Sequence, residues 1–201
     1  MDEQALTRDF TRRLGVPLLL RWCSEAAQGP AWTGGPGAHP MRIDAWRRGR
    51  AALAEVVTGL GRSDDCGRPG PPACGLSLAH SGAWAVAVGR RDAGPIGVDL
   101  ELPGREVSEA VLLRMGVPAE AIRPMGATGR LVLWTALEAV HKARGTTGGL
   151  VPGQIRLEPA DRRAGRAWVS GLAYAWCARQ TSRGMVTLAV PLGVGAEPPA
   201  T

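Results

Sequence analysis

The sequence predicts an α+β protein in two halves, each running from helix into strands. Three observations carry this. Residues 41–58 place Ala45, Trp46, Ala52, Leu53, Val56 and Val57 on one apolar side, with Gly59 or Gly61 as a stop, which is the pattern of a helix. Short apolar runs follow at 74–80, 83–89 and 95–100, the first two joined by the turn pair Ser81-Gly82, and these read as strands. The order then repeats: a short helix over 107–115, a longer one over 128–143 stopped by Gly145, and strands of an antiparallel sheet at 154–157, 166–179 and 185–191.

The two halves are expected to divide as residues 1–94 and 95–201, with their seam near 92–95. No internal sequence repeat accompanies the repeated order, so any duplication is one of shape. Residues 29–40 and 62–72 are rich in glycine and proline and read as loops, and the tail after Gly193 is expected to fray.

Composition narrows the class. The chain has 201 residues and a formal net charge of +6, with 45% hydrophobic and 21% charged residues, an ordinary globular balance. Its 24 basic residues are all arginine except Lys142, and asparagine is absent. A lone lysine among arginines marks a candidate site, because a compact ammonium and a planar guanidinium do different work. The positive balance suits an acidic partner, or equally a solvated arginine-rich surface; the arginines are scattered, Arg47, Arg48 and Arg50 being the tightest group. Cys23, Cys66, Cys74 and Cys177 form no CxxC pair and no disulfide framework. The apolar run 16–20 is too short to span a bilayer and nothing resembles a signal peptide, so a cytoplasmic protein is expected.

Three groups of residues could carry chemistry. In Gly97-Val98-Asp99-Leu100-Glu101, strand alternation puts Asp99 and Glu101 on one face and the apolar pair on the other. Paired carboxylates repel unless a cation lies between them, and hard oxygen donors suit magnesium; the competing reading is a solvated outer face. Trp134, Glu138 and Lys142 are four apart and share one row of a helix, either an ordinary surface ion pair or an acid and a cation aimed at a phosphate. His80 ends a strand beside the Ser81-Gly82 turn, either as a hydrogen-bonded structural residue or as a phosphate donor.

Taken together, AHSGAWAVAV, GVDLE and WTALEAVHK stand in the order and spacing of the Sfp-type 4′-phosphopantetheinyl transferases, whose pattern runs SHSG, then G-[IV]-D-x-E, then W-[ST]-x-K-E-x-x-x-K. Upstream, AWRRGRAAL resembles that family's helix around a characteristic arginine, here Arg50, and the resemblance covers about residues 41–145. It implies a pseudo-twofold pair of α+β halves, each a small, mainly antiparallel sheet packed on a long helix, with coenzyme A in the cleft between them. It further implies magnesium, or manganese, on Asp99, Glu101 and Glu138. Lys142 is then expected at the pyrophosphate, His80 at the ribose 3′-phosphate and Arg50 on the phosphate side, with Glu138 and Lys142 as the catalytic pair. The implied reaction moves phosphopantetheine from coenzyme A to a serine of an acidic apo acyl or peptidyl carrier protein. A monomer, with no membrane or nucleic-acid partner, is expected.

Two positions depart from the pattern: Ala79 replaces the serine before the histidine, and Leu137 the lysine before the helix glutamate. Loss of one coenzyme A contact typically costs on the order of 1 kcal/mol. The rival readings are a non-catalytic coenzyme A- or carrier-binding homologue and a basic nucleic-acid-binding module. The first rests on residues 79 and 137; the second leaves the spacing of the acids unexplained.

Overall fold

The computed structural model describes residues 2–24, 39–62, 75–145 and 148–193. The expected loop residues 29–38 and 63–72, the proposed strand position Cys74 and the tail from 194 lie outside the described residues.

The protein is a mixed α+β structure with two antiparallel sheets. It begins with an unpredicted helix, α1 (Glu3–Leu14), whose Asp2 cap accepts a hydrogen bond from the Ala5 amide at 2.6 Å. Gly15, at φ +67°, ends it in the left-handed conformation that glycine adopts without strain. Leu6, Phe10 and Leu14 recur every four residues and are buried, so burial of this stripe holds the helix in place. Next come β1 (Leu18–Cys23), also unpredicted, and α2 (Pro40–Gly59), followed by β2 (Leu76–Ser81) and β3 (Trp84–Arg90). The three strands form a sheet of order β1-β3-β2, and α2 covers it through Ala52, Leu53 and Val56 against Leu76 and Ala87.

The second sheet starts with β4 (Gly97–Glu101). Two short helices, α3 (Glu109–Arg114) and α4 (Ala119–Ile122), lead to the long α5 (Ala127–Ala143). The strands β5 (Arg156–Pro159), β6 (Ala164–Val169), β7 (Leu172–Thr181) and β8 (Gly184–Pro191) complete a sheet of order β4-β8-β7-β6-β5. The single strand predicted over 166–179 is a hairpin: Ser170 at φ +51° and Gly171 at φ +79° turn the chain between β6 and β7.

Alternation along the strands builds the layers. Val98 and Leu100 of β4, with Val186, Leu188 and Val190 of β8, pack into one apolar cluster with Val86 and Val88 of β3 and with Phe10 of α1. The two sheets therefore share a core. On the opposite face of the second sheet, Met185 and Ala189 join the cluster built around α5. The Arg183 guanidinium lies 5.1 Å from the ring centre of Trp22 and 4.6 Å from that of Trp84, tying the β7–β8 turn to the first sheet. No described helix is long and apolar enough to cross a membrane.

Candidate functional site

A close contact between backbones positions the site. A Cβ added at Gly97 would lie 1.9 Å from the Ala139 carbonyl oxygen and 2.6 Å from the Ala143 amide nitrogen, so only glycine lets β4 press this tightly on α5. Because side chains alternate, Asp99 and Glu101 share the face of Gly97 and lie under the helix. All five residues of β4 are buried, Asp99 at 6% and Glu101 at 7% exposure. A solvated outer face is thereby ruled out. Burying two carboxylates is costly unless cations or hydrogen bonds meet them, so the strand carries a polar centre at an energetic cost.

Lys142 of α5 meets Asp99, its Nζ donating to Oδ1 at 2.7 Å. The other Asp99 oxygen, Oδ2, is buried with no hydrogen-bond partner. Glu101 accepts from the Ser81 hydroxyl at 3.2 Å and forms an ion pair with Arg105. The Arg105 guanidinium also lies 5.5 Å from the ring centre of Trp134, the first residue of the helix row. Glu138, in the middle of that row, is half-buried.

The electrostatics join these groups. Burial pushes the Asp99 carboxyl above its ordinary pKa, and the Lys142 charge only partly offsets this. Glu138 is also raised, first by burial and then by the negative charge of Asp99, while Lys142 and Arg105 pull it down. His80 lies at the exposed end of β2; partial covering of its ring lowers its pKa, and the Lys142 and Arg48 charges lower it further. Arg48 and Lys142 thus form one positive field that reaches the His80 ring and favours its neutral form.

Of the predicted residues, Asp99, Glu101, Glu138, Lys142 and His80 come into this one region. The Arg50 guanidinium lies 5.3 Å from the ring centre of Trp46, one turn back on α2. The arginine of α2 whose charge reaches His80 is Arg48, which also donates to the Gly82 carbonyl at 3.0 Å. Arg48, Ser81 and Arg105 were not predicted from the sequence as site residues. The two departures from the family pattern also look different here. Ala79 and Leu137 are buried in apolar clusters, at 4% and 0% exposure, so both fill core positions.

A divalent cation fits part of the expected ligand set. Among the described residues, no three His, Cys, Asp or Glu side chains are grouped to hold a metal, so Asp99, Glu101 and Glu138 are not assembled as one triad. Magnesium needs less: it commonly takes one or two carboxylates and completes its shell with phosphate oxygens and water. The unpartnered Asp99 Oδ2 supplies one such donor, and Glu101, on the same face of β4 and paired with Arg105, is the second carboxylate.

No protein-family model matches this chain, and no curated protein matches it.

A stability test follows from Asp99. In the metal-free protein its raised pKa means that the folded state disfavours the charged carboxylate. That penalty is absent well below the ordinary value of 3.8 and complete once pH exceeds the raised value. Asp99→Asn is therefore expected to melt no lower than wild type at neutral pH while losing metal affinity. The advantage of the variant should shrink as pH falls towards 4, as read by thermal melts across a pH series.

Proposed function

We propose that this protein is a magnesium-dependent 4′-phosphopantetheinyl transferase of the Sfp type, acting on coenzyme A and an apo acyl or peptidyl carrier protein. The observation that carries the reading is the placement of Asp99, with one buried oxygen unpartnered, against the row of α5 that presents Lys142 and Glu138. Those residues belong to motifs that resemble the family's in kind, order and spacing. The two sheets, each with a long helix on one face, are compatible with a pseudo-twofold pair of halves, 1–94 and 95–201, as the family reading requires.

Asp99 and Glu101, with Glu138 nearby, would hold the metal, which would supply neutralising charge for the coenzyme's pyrophosphate. Lys142 keeps one N–H on Asp99 and has two left for phosphate oxygens. Glu138, its pKa raised by burial and by the Asp99 charge, takes the proton from the carrier serine hydroxyl. The serine oxygen bonds to the β-phosphorus, the bond from that phosphorus to the bridging oxygen breaks, and adenosine 3′,5′-bisphosphate leaves. Arg48 provides positive charge for the ribose 3′-phosphate, and the exposed His80 ring provides an N–H donor. The net charge of +6 suits an acidic carrier, and the enzyme acts as a cytoplasmic monomer.

The reading is tested by chromatography of the coenzyme. Adenosine 3′,5′-bisphosphate should form only when apo carrier and divalent metal are both present, and hydrolysis without carrier would contradict transfer. The 3′-phosphate site has its own test. Phosphate binding returns the lowered His80 pKa upwards, so it is linked to proton uptake. Preference for coenzyme A over dephospho-coenzyme A should therefore grow as pH falls from about 8 to about 6, by about tenfold for one charge-assisted hydrogen bond. His80→Ala should flatten that dependence in titration calorimetry.

A further inference from the structure

Arg105 belongs to none of the motifs above, yet it touches the buried strand acid Glu101 directly. It lies just past β4 in a turn closed by its own amide donating to the Leu102 carbonyl at 3.3 Å, with Gly104 at φ +86°. The turn folds the guanidinium back onto Glu101, four residues earlier, and beside Trp134 of α5. The Arg105 side chain remains 46% exposed, whereas that of Glu101 is 10% exposed. This is a cation held at the mouth of a buried carboxylate.

We infer that Arg105 is an exchangeable counter-ion: it neutralises Glu101 until a divalent cation takes the carboxylate, and the released guanidinium then serves an anionic group of the co-substrate. This rests on the metal-site reading above. The two lysine- and arginine-based ion pairs differ in a way that singles out Arg105. Lys142 is fixed on α5 and is 27% exposed over Asp99, while Arg105 is on a turn and half in solvent. A metal cation and a guanidinium on one buried carboxylate repel each other, so an arriving cation displaces the more exposed counter-ion, Arg105.

The surroundings give the guanidinium somewhere to go. A cavity of about 610 Å³ beside it is lined by Arg105, Arg130, Trp134 and Val107 and also by the carboxylates Glu106 and Glu109. The Trp134 ring can keep contact with the flat guanidinium as it swings away from Glu101, so leaving the carboxylate does not cost the stacking contact. Arg130 cannot take the same part, because it donates to the carbonyls of Val107 and Met125 at 2.9 and 3.3 Å and so holds the loop ahead of α5. Arg105 has no such backbone anchor among its described side-chain contacts.

The test compares wild type with Arg105→Gln in two titrations. Mn²⁺ binding to the protein alone, followed by electron paramagnetic resonance, should tighten about two- to fivefold in the variant, the strength of a half-exposed ion pair. Inorganic pyrophosphate binding at saturating Mn²⁺, followed by calorimetry, should weaken. A residue that merely shapes the site would move both affinities the same way. Arg105→Lys keeps the charge and should leave Mn²⁺ affinity near wild type. Should the glutamine variant fail to fold, Arg105→Met carries the same comparison. Unchanged or weaker Mn²⁺ binding in the charge-removing variant, with wild type binding normally, overturns the inference and leaves the metal site standing. Absence of Mn²⁺ binding in both proteins overturns the metal site and this inference together.

Discussion

Glu138→Gln is expected to lower phosphopantetheine transfer by about 10²- to 10⁴-fold, the range of a lost general base, with little change in melting temperature. Glutamine keeps the shape and the helix propensity of this half-buried position in α5, so packing is preserved. What disappears is a carboxylate whose proton affinity is raised by burial and by Asp99. Coenzyme A should still bind through Lys142, His80 and Arg48, which places the loss in kcat and leaves KM close to wild type. Loss of coenzyme A binding in parallel with transfer would instead make Glu138 a metal ligand without a proton-transfer role. Retention of transfer would move the base to another group.

Gly97→Ala is the second large effect. The new methyl group would meet the backbone of Ala139 and Ala143, which cannot rotate away as a side chain can. Either β4 or α5 must shift, at a cost of about 1–3 kcal/mol. For a protein of this size that is roughly 3–10 °C in Tm. Function should suffer more than stability, because the same contact sets the 2.7 Å pairing of Lys142 with Asp99. Misplacing such groups by about 1 Å can cost about 10²-fold in rate. Gly149→Ala is the control: nothing lies near its new Cβ, and its stability should stay within about 0.5 kcal/mol of wild type. Thermal melts of both variants beside transfer assays check the pair.

Much of the site was legible before the fold because its geometry follows regular periods. Strand alternation puts Asp99 and Glu101 on one face, and a four-residue spacing puts Trp134, Glu138 and Lys142 in one helix row. The decision between a solvated strand face and a buried one was not legible. It depends on α5 lying over β4, a contact between segments about forty residues apart. Arg105 was missed for a related reason: it reaches Glu101 through an irregular turn, where no period applies. Arg48 was passed over because the motif pointed to Arg50, two residues on along the same helix.

The fold was read in outline, and the omissions have identifiable causes. Asp2 as a cap, the Leu6, Phe10 and Leu14 stripe, and Gly15 as a stop all signal α1, but arginines at 8, 12 and 13 break up the apolar character of the segment. Residues 18–23 alternate in burial as a strand should, yet their run of leucines gives no alternation in sequence. The β6–β7 hairpin hides because apolar residues flank its Ser170-Gly171 turn closely on both sides.

The most direct measurement is the intact mass of an apo acyl carrier protein after incubation with this protein, coenzyme A and magnesium, beside an EDTA control. A gain of one phosphopantetheine that requires the metal, and that Glu138→Gln abolishes, is the predicted result. No gain across several apo carriers, despite measurable coenzyme A binding, would contradict transferase function and leave a coenzyme A-binding protein in its place.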